Sequence, residues 1–250
     1  MFIAVTFLPK DAPASRRKQQ VQPQLLRVPV PGAFSFYRLT VPGAPCTAGW
    51  NAVRKAASLL RLPLLLPKGV AAPPGLPVVC GTAYRSGLLL NGMAKALPAL
   101  APAGARITVL DDGGALAQRI AILAPFARAL TVVTRRPQNY CAAQSDLMAR
   151  FGVSLPVYRK AADAVFDCGV LFAPDAAAVP LGYAGLVFTL ERQSFLNATV
   201  FTCKSVALPA PYDALRPDGT DPNRFAAALV ERCRARLPED LTAEVETMDN

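Results

Sequence analysis

Histidine is absent from this chain of 250 residues. Its absence excludes every zinc site that uses histidine and every catalytic triad with a histidine base. The six cysteines are widely spaced and form no C-x-x-C pair, so the sequence predicts no metal site. We expect most of these cysteines to be small buried side chains rather than members of disulfides.

Long apolar runs are also missing. The longest, at residues 59–67, is interrupted by Arg61, Pro63 and Pro67, and it falls short of the length needed to cross a membrane. Residues 1–8 are apolar but lack a basic flank and a small-residue cleavage pattern, so they predict a first strand rather than a signal peptide. We therefore expect a cytoplasmic protein without a membrane partner.

Charged residues make up only 18% of the chain, although the net charge is +10. A basic balance raises the question of nucleic acid, but the cations are scattered and their only cluster is at residues 16–18. No stretch interleaves basic with aromatic residues, so we do not expect nucleic acid as a partner. The hydrophobic fraction of 52% indicates a globular protein, and nothing in the sequence indicates its oligomeric state.

The most informative stretch is residues 106–136. It predicts a buried strand, a glycine turn, a helix of about fourteen residues with one apolar face, and a second strand. A parallel strand pair with a helical crossover has this length. The fold class is therefore α/β, with a Rossmann-like parallel sheet flanked by helices and a smaller amino-terminal α/β subdomain. The predicted domains are residues 1–103, 104–205 and 206–250, the last holding a carboxyl-terminal helix and an acidic tail.

Three short motifs in this region carry a family resemblance. Residues 109–115, V-L-D-D-G-G-A, resemble the V-L-G-A-G-G-A turn of the shikimate dehydrogenase family, and residues 131–136 are similar to its T-V-V-N-R-T segment. Residues 166–174 stand where that family has its D-x-x-I-N-A-T strand. The resemblance covers residues 104–175 and implies an NAD(P)-binding Rossmann domain. The cofactor-binding residues it implies are Gly113, Gly114, Ala115, Thr134, Arg135 and Arg136.

Asp111 stands in place of the first glycine of that turn, and Asp112 follows it. Each carboxylate beside a pyrophosphate would be repelled by about 1 kcal/mol or more at an effective dielectric of about 20. The amino terminus of the predicted helix still offers N–H groups to an anion, but Asp112 could cap that helix itself. The turn is therefore degenerate, and both a nucleotide-free domain and a dinucleotide-binding domain stay open.

The catalytic residues that the family implies, a lysine and an aspartate, are incompletely matched. Residues 65–69 keep the proline–lysine pair with Lys68, whereas residues 81–87 contain no aspartate. The remaining candidates are Tyr84, which with Arg85 could bind an anionic substrate, and Asp175 after a predicted strand.

Two functional hypotheses follow. The first is a Rossmann-like protein with a non-catalytic or ligand-sensing role, whose ligand is a small anion. The alternative is an NADP-dependent oxidoreductase with non-standard catalytic residues. Arg135 and Arg136, with no acidic residue at that strand end, predict NADP over NAD if a dinucleotide binds. A carboxylate of Asp111 or Asp112 in the anion site would favour the first hypothesis.

Overall fold

The computed structural model describes residues 1–8, 22–160, 168–237 and 244–248. Its contacts divide the chain into unit 1, residues 1–84 and 207–240, and unit 2, residues 85–206 and 241–250. The division falls in the first turn of a helix, whereas the sequence-based boundary at residue 103 follows that helix.

Strands and helices alternate along most of the described chain. The strands are β1 (Ile3–Phe7), β2 (Gln24–Val30), β3 (Ala33–Val41), β4 (Leu64–Leu65), β5 (Ala105–Leu110), β6 (Ala127–Val133), β7 (Val157–Tyr158), β8 (Val170–Phe172), β9 (Gly185–Thr189), β10 (Ala198–Cys203) and β11 (Val245–Thr247). The helices are α1 (Thr47–Leu60), α2 (Thr82–Leu100), α3 (Cys141–Phe151), α4 (Ala210–Asp213) and α5 (Pro222–Cys233), and 3₁₀ turns lie at Ile120–Phe126, Pro137–Tyr140 and Ala176–Ala178.

Unit 1 is built on a four-stranded sheet in the order β2-β3-β1-β4. β1 is parallel to both β3 and β4, while β2 forms an antiparallel hairpin with β3. Strong period-2 alternation in β3 places Leu39 and Val41 on one face, where they pack with Val53 of α1. This half of the chain therefore forms an α/β unit of its own, with apolar layers on both sides of the sheet.

An aromatic cluster fills the opposite face of this sheet. The rings of Phe2 and Phe36 stack with centroids 4.9 Å apart, and Phe225 of α5 meets both edge-on at 6.3 and 5.7 Å. Helix α5 begins as the sequence predicts: Asp221 caps it by accepting the N–H of Arg224 at 2.9 Å. The cap fixes the start of the helix that carries Phe225 into the core.

Unit 2 is built on a seven-stranded sheet in the order β11-β10-β9-β8-β5-β6-β7. Every neighbouring pair from β7 to β10 is parallel, and β11 is antiparallel to β10. Counted from β5, the parallel strands follow the order 3-2-1-4-5-6 of dinucleotide-binding α/β folds. The predicted fold class, a Rossmann-like parallel sheet flanked by helices, is confirmed.

The helix predicted after the glycine turn does not form. Residues 115–119 are a turn, followed by the 3₁₀ segment Ile120–Phe126. The buried Ile120 and Leu123, with Phe126, recur every three residues, which suits a 3₁₀ helix, and Pro125 removes one backbone donor.

Residues 76–80 and the acidic carboxyl-terminal tail differ from what their sequences predict. The apolar run at residues 76–80 predicts a strand, but it forms a single bridge between Leu64 and Val78. The tail predicts a frayed end, but Val245–Thr247 within it form the edge strand β11. A short helix predicted at residues 161–164 lies outside the described residues.

The cysteines are less buried than predicted. Cys46, Cys80 and Cys141 are exposed, whereas Cys168 and Cys233 are buried. Burial raises the pKa of the Cys233 thiol to about 11, so this thiol stays protonated at neutral pH. Among the described residues, no helix is both long and apolar enough to span a membrane.

We expect Phe225→Ala to lower the free energy of unfolding by about 3–5 kcal/mol, because it removes the ring that meets both Phe2 and Phe36. Denaturant unfolding followed by circular dichroism measures this loss. The matched control is Leu59→Ala on α1, where the side chain is 75% exposed. Equal losses in the two variants would contradict the assignment of Phe225 to the core.

Candidate functional site: the turn after strand β5

The turn after β5 lies at the point where the strand order reverses. β5 pairs with β6 on one side and with β8 on the other, and their carboxyl ends share one edge of the sheet. In open α/β sheets, ligands bind in the crevice outside this switch point. The last residue of β5, Leu110, is in register with Val133 of β6, so the segments that follow both strands start side by side.

The side chain of Asp111 stabilises this turn through hydrogen bonds. It is buried, and Oδ2 accepts the N–H of Leu116 at 2.8 Å and the hydroxyl of Tyr140 at 2.6 Å. Hydrogen bonds to a charged acceptor contribute about 1.5–3 kcal/mol each. The carboxylate therefore fixes the path of residues 111–116 and ties it to the start of α3.

Tyr140 is fully buried at the end of the 3₁₀ segment Pro137–Tyr140. Burial raises the pKa of its phenol well above the usual value, and the charge of Asp111 and the hydrogen bond to it act in the same direction. The hydroxyl consequently remains a donor at all physiological pH values, and the Asp111 carboxylate keeps its partner.

The two glycines of the turn differ in what surrounds them. Gly113 is exposed, and a Cβ built on it would meet nothing within 4 Å. Gly114 has φ +65°, and a Cβ built on it would stand 2.7 Å from Nδ2 of Asn139, which donates to the Gly114 carbonyl at 3.3 Å. The Asn139 side chain thus packs over one glycine of the turn, while the adjacent Ala115 is exposed.

A second carboxylate meets a predicted cofactor residue. Asp112 Oδ1 lies 2.8 Å from Nε of Arg135, and the two side chains are 69% and 81% exposed. An exposed ion pair of this kind contributes about 0–1 kcal/mol. The pair therefore joins the ends of β5 and β6 weakly, and an incoming anion could displace Asp112 at little cost.

The other residues predicted at the end of β6 have unequal roles. Thr134 is buried, and its hydroxyl accepts the N–H of Arg136 at 3.0 Å, which orders the chain into the next turn. Arg136 itself is exposed. The structure thus brings the predicted residues of the two strand ends together, with the arginines at the surface and Thr134 inside.

The weak catalytic candidates lie elsewhere. Lys68 is exposed after β4, and the backbone N–H of Tyr84 donates to the Glu231 carboxylate at 3.2 Å, both within unit 1. Asp175 of unit 2 caps the 3₁₀ turn after β8 by accepting the N–H of Ala177 at 3.0 Å. None of the described residues forms a group of three or more metal-ligating side chains suited to an ion.

The sequence did not identify Asn139 and Tyr140 as residues of the candidate site. The sequence predicts a helix over residues 139–151, and both residues stand at its start, where a polar and an aromatic residue carry no special pattern. The available signal was indirect: a carboxylate directly after a buried strand needs donors, and Tyr140 supplies one from 29 positions away.

The residues at the pyrophosphate position do not fit a dinucleotide. In a nucleotide-binding turn, free N–H groups and the dipole of a regular helix attract the phosphates. Here the Leu116 N–H donates to the Asp111 carboxylate. Residues 115–119 lead into the 3₁₀ segment Ile120–Phe126, so no regular helix follows the glycines. By contrast, Arg135 and Arg136 fit an anionic group at the end of β6.

Strand order and the position of the turn define unit 2 as a Rossmann-like α/β protein. No family model matches the sequence, and no curated protein matches it. The chain is similar to solved structures of L-tryptophan dehydrogenase from Nostoc punctiforme (11% identity, 90% of this chain and 70% of that chain, TM-score 0.30) and quinate dehydrogenase from Corynebacterium glutamicum in complex with NAD (14%, 90% and 89%, 0.32). Shikimate dehydrogenase from Aquifex aeolicus also matches (12%, 96% and 96%, 0.30).

Two of these neighbours are a quinate dehydrogenase and a shikimate dehydrogenase. At such low identities and TM-scores they concern the fold and carry no argument about activity.

We expect Tyr140→Phe to destabilise the protein at pH 7 by about 1.5–3 kcal/mol, because Asp111 loses a charge-assisted hydrogen bond. The native pKa of Tyr140 is raised above the unfolded value of about 10. Above about pH 10 the unfolded chain releases a proton that the native state keeps, so this contribution is complete below pH 10 and declines as pH rises. The difference between wild type and variant should therefore narrow above about pH 10.

Denaturant unfolding of both proteins between about pH 7 and pH 11 tests this, in the range set by the unfolded tyrosine pKa. The control repeats Tyr140→Phe in an Asp111→Asn background, where the penalty should be smaller because the charged acceptor is gone. If the difference in unfolding free energy between wild type and Tyr140→Phe stays constant with pH, the raised pKa of Tyr140 does not contribute to stability as expected.

Proposed function

We propose that unit 2 is a non-catalytic, ligand-sensing Rossmann-like module rather than a dinucleotide-dependent enzyme. The observation that carries this proposal is the buried carboxylate of Asp111, which bonds the Leu116 N–H at the switch point of the sheet. A phosphate oxygen would need that donor.

The free energy needed to break the hydrogen bonds of Asp111 supports the proposal. To admit a pyrophosphate, Asp111 would give up two charge-assisted hydrogen bonds, a loss of about 3–6 kcal/mol. Each 1.4 kcal/mol is a factor of about ten in affinity, so a micromolar dinucleotide site would become roughly a 0.1–10 mM site. Repulsion between the carboxylate and the phosphates would weaken it further.

The predicted catalytic residues also support a non-catalytic role. Lys68 is exposed in a turn, and the Asp175 carboxylate is engaged as a cap. A proton-transfer residue must reach the reacting group with a suitable protonation state, and neither of these side chains lies in a buried polar site.

A second candidate function is an NADP-dependent oxidoreductase. It is favoured by Arg135 and Arg136 at the end of β6, the second strand of the Rossmann order, where an arginine can accommodate an adenosine 2′-phosphate. The Asp112 carboxylate that holds Arg135 is exposed and easily displaced. This hypothesis requires the Asp111 turn to open when the nucleotide binds.

Fluorescence titration with NADPH and NADH separates the two functions. We expect the wild type to bind neither nucleotide with a Kd below about 0.1 mM, the lower end of the range derived above. The variant Asp111→Gly with Asp112→Ala should bind NADPH at least tenfold more tightly, since it frees the Leu116 N–H and Arg135 together. Asp146→Ala, which removes an exposed carboxylate paired with Arg150 on α3, is the control and should leave binding unchanged.

Micromolar binding of NADPH to the wild type, weakened by Arg135→Ala with Arg136→Ala, would overturn the proposal in favour of the oxidoreductase. If the variant Asp111→Gly with Asp112→Ala fails to fold, Asp112→Ala alone provides a second test. This single variant should fold, because the exposed Asp112 side chain contributes little to the free energy of unfolding.

A further inference from the structure

Three buried polar atoms of unit 1 have no hydrogen-bond partner among the described residues. They are Oγ1 of Thr6, Nε of Arg38 and Oγ1 of Thr220. Thr220 as a whole is only 3% exposed. Buried polar groups are nearly always paired, and an unpaired group lowers stability by about 1–3 kcal/mol, so three of them in one unit require a physical explanation.

Strand register places two of these groups on the same face of the sheet. β1 and β3 are parallel, with Ala4 opposite Arg38 and Thr6 opposite Thr40. Side chains two positions apart on a strand share a face, so Arg38 and Thr6 are diagonal neighbours. Both stand near the carboxyl ends of these strands.

The loop between α4 and α5 brings the third group to the same place. The Leu215 carbonyl accepts Nη2 of Arg38 at 2.8 Å, and the Gly219 carbonyl accepts the N–H of Lys68, just past β4, at 2.9 Å. Because β3 and β4 flank β1 in the sheet, the loop crosses over the end of β1 between these two anchors. Thr220 directly follows the second anchor, so we infer that it lies near the carboxyl end of β1, where Thr6 stands.

The unpaired groups are suited to an anion. Nε and Nη2 of Arg38 form the paired donors of the guanidinium fork, which match the two oxygens of a carboxylate or phosphate. The Leu215 carbonyl takes one of these donors, and Nε has no acceptor. The two threonine hydroxyls are further donors that can turn toward the same group.

No internal carboxylate neutralises Arg38 among the described residues of unit 1. Asp213 at the end of α4 is paired with Arg216 at 2.9 Å, and Asp221 at the start of α5 accepts the N–H of Arg224. Asp218, the carboxylate of the loop itself, is exposed. A half-buried guanidinium that holds only one carbonyl is unfavourable, because buried charges are normally paired. A negatively charged oxygen group would pair with Nε and neutralise the guanidinium.

We propose that Thr6, Arg38 and Thr220 form a binding site for a small oxyanion, a phosphate or a carboxylate. The anion binds the fork of Arg38 in place of the Leu215 carbonyl, which moves aside, while Thr220 keeps its place next to the bond between Gly219 and Lys68. The site lies in unit 1 and does not depend on the function proposed for unit 2.

Isothermal titration calorimetry on the full chain tests the site, with sodium phosphate in one arm and sodium acetate in the other. Sodium chloride at matched ionic strength gives the background. We expect saturable binding in at least one arm, with Kd raised at least tenfold in Arg38→Gln and in Thr220→Val. Arg27→Gln is the matched control, because Arg27 is exposed and its side chain alternates onto the opposite face of the sheet.

Binding in the phosphate arm alone identifies a phosphate site, and binding in the acetate arm alone identifies a carboxylate site. The proposal is overturned if neither anion binds the wild type, or if Arg38→Gln and Thr220→Val leave the Kd unchanged. Thr220→Val removes an unpaired hydroxyl and should not lower the melting temperature, so a loss of binding in this variant cannot be ascribed to unfolding.

Discussion

One buried charge governs the site in unit 2. The Asp111 carboxylate follows directly after the central strand β5, and a buried carboxylate in that position needs hydrogen-bond donors. It finds them in the Leu116 N–H and the Tyr140 hydroxyl. The path of the turn and the seating of α3 against it follow from these two bonds.

The two ends of the candidate site are closed with very different strength. At the turn, the closing bonds are buried and involve a charged acceptor, so opening is expensive. At the end of β6, Asp112 and Arg135 pair in solvent, where water and salt compete with them. The Rossmann strand order thus occurs together with an accessible arginine, while the Leu116 N–H of the turn is engaged by Asp111.

The sequence predicted the fold because its strands carry local signals. The branched apolar runs of β5 and β6, the alternation of β3 and the cap at Asp221 each depend on neighbours in the chain. The 3₁₀ segment was missed because its apolar positions also fit the face of an α-helix, although their three-residue spacing and Pro125 suit a 3₁₀ helix. Strand β11 was missed because its short acidic sequence acquires strand structure only from pairing with β10.

The sequence predicted where the candidate site lies, but not which of its two aspartates is buried. The resemblance of the turn and the arginines after β6 located it, and the two aspartates signalled a departure. Which aspartate would turn inward depended on Tyr140, which is distant in sequence and reaches the turn only in the folded chain. A contact between residues this far apart in the chain produces no periodic pattern in the sequence.

The discontinuity of unit 1 has a consequence for vectorial synthesis on the ribosome. Phe2 and Phe36 are made early, yet the ring that completes their cluster, Phe225, follows after all the parallel strands of unit 2. Unit 2 therefore has its whole parallel sheet available while the amino-terminal strands still present an uncovered aromatic face. During that interval the nascent chain exposes a surface suited to chaperone capture or to aggregation.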